Sequence, residues 1–152
     1  MIRRDRKAFS ILTALFIIIL MSSVGALVSG MSGKIIKQTT SQYQRVQAVL
    51  LAKSYTEFAI MAVTAKSRGT DCVDTIQGNF GQAAGNPGYN VNINIQYIGS
   101  SAEVNTCTNN LVTADDTLNI LIDVYITYQD FDHPLWPAAP NITYHRRTLQ
   151  KI

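Results

Sequence analysis

The hydrophobic pattern of this chain changes character twice. From Ala8 to Gly33 no side chain is charged, and the run FSILTALFIIILMSSVGALV, residues 9–28, is apolar almost throughout. A helix of about 20 apolar residues crosses a hydrocarbon core about 30 Å thick, and hydrocarbon leaves a backbone no hydrogen-bond partner but itself. The pattern predicts a membrane-spanning helix over 9–33. Residues 34–66 then contain neither Gly nor Pro, and Ala48, Leu51, Tyr55, Phe58 and Ala62 recur at three- and four-residue steps. That spacing predicts an amphipathic helix whose stripe packs on something, with Gln44, Lys53 and Lys66 on the watery side. Between the two halves, Gly30 and Gly33 each cost about 1 kcal/mol against Ala in a helix, which predicts a kink or local melting there.

Beyond residue 66 the period becomes two. Tyr89, Val91, Ile93, Ile95 and Tyr97 alternate with Asn90, Asn92, Asn94 and Gln96, the signature of a strand buried on one face. Ile120, Ile122, Val124, Ile126 and Tyr128 make a second such strand, and Ile142, Tyr144, Arg146 and Thr148 one side of a third. The stretch 67–70 ends the helix with Gly69 as C-cap, and 71–88 reads as loop because Gly, Asn, Asp and Pro crowd it. Residues 99–117 read as a long polar connection, and Pro134, Pro137 and Pro140 impose a rigid turn. A lone sheet needs a cover for its apolar face. The expected fold is therefore α+β: a long N-terminal helix that leaves the membrane and lies across a small antiparallel sheet. The parts are a basic leader (1–8), a membrane half (9–33), an amphipathic half (34–66) and a loop-and-sheet region (67–152).

Charge adds a direction to this picture. The chain has 13 Lys and Arg against 10 Asp and Glu, but Arg3, Arg4, Arg6 and Lys7 with Asp5 account for the whole excess, so the rest is balanced. Basic residues flanking a span stay in the cytoplasm, which directs residues 34–152 to the far side of the inner membrane. A secretory signal also opens with basic residues, yet its apolar region runs to about 7–15 residues. A balanced exported part has no cationic field for phosphate backbones, so no nucleic acid is expected. Cys72 and Cys107, an even pair in an oxidising compartment and far from the C-x-x-C spacing of redox pairs, are expected to form a disulfide.

The first residues carry a resemblance. Arg6-Lys7-Ala8-Phe9-Ser10-Ile11-Leu12-Thr13-Ala14-Leu15, a basic leader and a small residue before Phe, Ser and an apolar helix, resembles the type IV pilin and type II secretion pseudopilin superfamily. The resemblance covers residues 6–33 by motif and 34–152 by layout. It implies cleavage by a prepilin peptidase between Ala8 and Phe9 and N-methylation of Phe9. It also implies as partners the inner membrane, other pilin or pseudopilin subunits and an inner-membrane assembly platform. Two departures stand out: Ala8 where most members have Gly, and Thr13 where most have Glu. In the family that Glu is thought to neutralise the terminal ammonium of a neighbouring subunit, since an unpaired charge in hydrocarbon is costly. Thr13 supplies no anion, and one tip-located minor pseudopilin type characteristically lacks the Glu. The expectation is a minor subunit, initiating or tip-located; the alternative is a signal-anchored periplasmic binding or scaffold protein that does not polymerise.

No grouping points to catalysis or a cofactor. His133 falls in the Pro-rich turn and His145 in a strand, and no Ser, His and acid share a recognisable context. Asp130 and Asp132, with Asp115, Asp116 or Asp123, offer oxygens to Ca²⁺, but they lack the spacing of a calcium loop and suit turn chemistry better. Phe131, Trp136 and Tyr144 surround the last turn and are expected to close the core. Arg146, Arg147 and Lys151 form the late basic cluster, expected on a solvated strand edge.

Overall fold

The computed structural model describes residues 5–66, 71–81, 88–114 and 116–152, with side chains from Ile11 onward. One helix, α1 (Asp5–Thr64), is followed by β1 (Thr75–Phe80), β2 (Tyr89–Gly99), the short α2 (Ser101–Val104), β3 (Asn110–Val112), β4 (Asn119–Gln129) and β5 (Asn141–Lys151). The chain divides into two units, residues 1–40 and 41–152.

The first unit is a single helical stem. Its large apolar side chains from Ile11 to Ile36 are all exposed, and α1 is the one described helix long and apolar enough to cross a membrane. Two hydroxyls in this apolar run are turned back on the helix: Ser23 Oγ donates to the Leu20 carbonyl at 2.8 Å and Ser32 Oγ to that of Val28 at 3.0 Å. Such bonds to the carbonyls three or four residues back leave little polarity to desolvate. α1 is continuous through Gly30 and Gly33. Each of these residues would meet open space with an added Cβ, so no close packing within the chain requires glycine there. The helical backbone bonds outweigh the cost of two glycines.

In the second unit, residues 41–64 of α1 cover a sheet ordered β1-β2-β4-β5, with β3 beside β2 on the same edge as β1. All pairings are antiparallel except β2 with β3, which run parallel from Tyr97 opposite Asn110. The three expected strands form, and the faces read from their alternation are the buried ones: Val91, Ile93, Ile95, Ile120, Ile122, Val124 and Ile126 are completely buried. On β5 the inward face carries Tyr144, Arg146 and Thr148, half-buried at the sheet's far edge.

Two expectations change. Residues 75–80 form β1 rather than loop, because Thr75, Gln77 and Asn79 find partners along β2 from Asn94 to Asn90 whatever their own strand preference. At Gly78 an added Cβ would lie 2.9 Å from the Tyr55 hydroxyl that reaches over the strand, so the tip of that ring would have to shift, and Gly81 closes the strand at φ +70°. The helical stripe is also turned from the one read by periodicity: Gln44, Ala48, Ala52, Thr56, Ala59 and Val63 are buried, whereas Phe58 is exposed. Alanines let the helix approach a sheet already crowded with Ile and Val, and the larger Leu51, Tyr55 and Ile60 flank the line of contact. Gln44, expected in water, is covered instead, and its amide has no hydrogen bond among the described residues. Lys53 and Lys66 are exposed as expected. Gly69, the expected C-cap, lies outside the described residues.

Candidate assembly surface

The sequence-predicted sites sort themselves by unit. Ala8 and Phe9 lie inside α1, and their side chains fall outside the described residues. Thr13 sits in the helix one turn further on with its side chain exposed among apolar neighbours. The stem thus offers a continuous apolar surface and, among the described residues from Ile11 to Gly33, no charge.

Cys72 and Cys107 are joined as a disulfide with their Cα atoms 5.2 Å apart. They stand just ahead of β1 and β3, so the staple ties together the two segments that share one edge of β2. Tyr97 helps at the same place: its hydroxyl donates to the Val73 carbonyl at 3.0 Å and accepts from the Val73 amide at 3.1 Å. A bonded, buried phenol of this kind fixes the approach of the chain to β1.

Asp130 is occupied by turn chemistry: its Oδ1 accepts from the Asp132 amide at 3.0 Å, and no group of three or more metal-ligating side chains occurs among the described residues. Asp115 lies outside the described residues. Phe131 and Trp136 pack edge to face, with centroids 5.2 Å apart, but they stand outside the core cluster, which only Tyr144 of the three joins. The expected closing of the core by Trp136 is therefore corrected: the Pro-rich connection folds on itself instead. The late basic cluster is split by strand alternation, with Arg146 on the inward face and Arg147 and Lys151 on the outward one.

A polar network on the outward sheet face escaped the reading by sequence. Arg147 opposes Asp123 across β4 and β5, donating from Nε to Oδ1 at 2.8 Å and from Nη2 to Oδ2 at 2.9 Å. His145 Nε2 lies 2.6 Å from the same Oδ1, and its ring stacks on Tyr125 at 4.5 Å. The Arg147 guanidinium, and then the His145 bond, hold the Asp123 carboxyl below the usual carboxylate range against the opposing effect of burial. Alternation placed these residues on the polar face, but only the strand register brings them together.

At the opposite flank, α1 and β1 leave an apolar groove of about 450 Å³ lined by Leu51, Ser54, Tyr55, Phe58, Ile76, Gln77 and Phe80. It was invisible to sequence reading because β1 itself was. At the sheet end where α1 enters this unit, the Tyr89 hydroxyl donates to Gln47 Oε1 at 2.9 Å and its ring lies 5.3 Å from that of Tyr128. Burial, reinforced for Tyr89 by Tyr128 and Tyr43, raises both phenols above their ordinary value.

Compared with protein-family models, with curated proteins and with solved structures, the chain finds no match.

Proposed function

We propose that this chain is a non-enzymatic, membrane-inserted assembly subunit of the type IV pilin and type II secretion pseudopilin kind, serving as a minor subunit that initiates or tips the filament of a type IV pilus, a type II secretion system or a DNA-uptake device. One observation carries the reading: a single helix is apolar and exposed on all sides along its first half and packed on a small sheet along its second. A stem of this kind exchanges lipid for neighbouring helices with little change in solvation, because its apolar surface suits both. The leader Arg6-Lys7-Ala8-Phe9 supplies the point at which a prepilin peptidase cuts, and the inner-membrane platform then draws the stem into a bundle of related subunits.

Thr13 favours the initiating or tip position within this reading. A subunit with nothing ahead of it has no ammonium to neutralise, so it loses nothing by lacking an acid there. The same residue favours a second reading, a signal-anchored periplasmic scaffold that never polymerises. Mass spectrometry of the mature N-terminus separates them: a chain starting at N-methylated Phe9 supports the assembly subunit, and an intact Met1 overturns it in favour of the anchor.

A further inference from the structure

The sheet has two edges, and they are finished differently. β5, the far edge, carries His145, Arg146, Arg147 and Lys151, and charged side chains on an edge strand discourage another strand from pairing there. β1 holds no charged residue and no proline, and among the described residues no strand pairs with its outer side. Which backbone groups face that side follows from the ladder. The Ile95 amide donates to the Asp74 carbonyl at 2.9 Å, and an antiparallel ladder alternates, so Ile76, Gly78 and Phe80 are the residues of β1 that bond to β2. The amides and carbonyls of Thr75, Gln77 and Asn79 therefore face the open side as a row of donors and acceptors.

Beside this row lies the apolar groove between α1 and β1. Ile76 and Phe80 share one face of β1 and both line the groove, and Phe58 and Phe80 at its mouth are 48% and 51% exposed. A second hollow of about 250 Å³ adjoins the first, sharing Leu51, Ser54 and Phe80 and continuing along α1 to Leu50 and Gln47. Among the described residues neither hollow is lined by a charged side chain. Residues i and i+2 of a strand stand on one face about 7 Å apart, so a strand laid along β1 brings every second side chain over the groove. The open row needs amides and carbonyls repeated at strand spacing, and the hollows need apolar side chains on one face. An extended polypeptide supplies both.

We propose that the outer edge of β1 and the α1–β1 groove form one binding site for an extended polypeptide segment, which joins the sheet as a further strand and places uncharged, apolar side chains at alternate positions in the groove. The site lies wholly within the second unit, residues 41–152, so it does not depend on the assembly role proposed above.

The probe is a synthetic peptide of alternating Val and Thr with a lysine at each end for solubility, added to the full chain in lipid nanodiscs, where no free detergent competes for the groove. Amide exchange is followed residue by residue by NMR. At saturating peptide the amides of Thr75, Gln77 and Asn79 should exchange about tenfold more slowly, the effect of one added hydrogen bond at each, while β5 is unchanged. The same peptide N-methylated throughout should protect none of them. Gln77→Pro removes one donor from the open row and none from the β2 ladder, and Phe58→Asp sets a charge in the groove at a half-exposed position. Each should lose most of the protection at Thr75 and Asn79, and Phe58→Asp decides the matter if the urea midpoint shows that Gln77→Pro disturbs β1. A peptide that leaves these amides unprotected, or protects β5 equally, overturns the site. Protection that rises with the chain's own concentration and is not displaced by the peptide overturns this occupant in favour of a second copy of the chain.

Discussion

Ile18 and Ile122 are the same residue in two different solvents. Ile18 is 68% exposed on a helix with no protein around it, whereas Ile122 is fully buried between α1 and its neighbours in the sheet. What separates the two regions is pattern rather than composition: an unbroken apolar run can be satisfied only by lipid or by other helices, whereas an alternating one is satisfied by the chain itself. Stability against unfolding therefore belongs to residues 41–152, where the buried side chains lie.

The sharpest test of that division is one substitution made twice. Ile122→Ala should cost the domain about 2–5 kcal/mol, while Ile18→Ala should change it by less than about 0.5 kcal/mol, both read as shifts in the urea midpoint in detergent. Equal shifts would break the comparison. Next in size, replacing Cys72 and Cys107 by Ser, which opens a loop closed across a sequence separation of 35, should lower domain stability by about 3–4 kcal/mol in the chain-entropy model. The helical signal of the stem should be unchanged.

Smaller effects probe the fit between α1 and the sheet. Gln44→Leu should raise stability by about 1 kcal/mol, because a covered amide without partners gives way to an apolar side chain of similar size. Gly78→Ala should lower it by about 1 kcal/mol by displacing the Tyr55 hydroxyl, and adding Tyr55→Phe should recover most of that loss. The smallest effect is electrostatic. Asp123 is held below its ordinary value, so its pairing stabilises the fold above the unfolded carboxylate value of about 3.9 and is lost as pH falls through the lower folded value. Arg147 is largely exposed, so solvent screens the pair, and Asp123→Asn should cost about 0.5–1 kcal/mol at neutral pH. The variant should also lose less stability than the parent on acidification to about pH 3.

Much of this architecture was legible because period is local. The apolar run from Phe9 to Val28 and the alternations at 89–97 and 120–128 each declare their element within a dozen residues. What escaped reading depends on distant partners. β1 has the composition of a turn and becomes a strand only because Asn90 to Asn94 present a free edge. The buried line on α1 is set by the Ile and Val side chains of the sheet beneath it, which leave room for Ala52 and push Leu51 to the flank. Asp123, His145 and Arg147 meet through a register that no single segment encodes. The cysteine pair was legible from its even count and wide spacing, whereas its position at the mouths of β1 and β3 was not.

That position has a consequence for survival among proteases. A single cut anywhere between residues 73 and 106 leaves both fragments covalently joined through Cys72 and Cys107, with β2 still hydrogen-bonded to β4 along its other edge. A nicked molecule would run at full mass on a non-reducing gel and fall apart only when a reductant is added, so a cut at the exposed Asn105–Thr106 turn need not separate the two fragments.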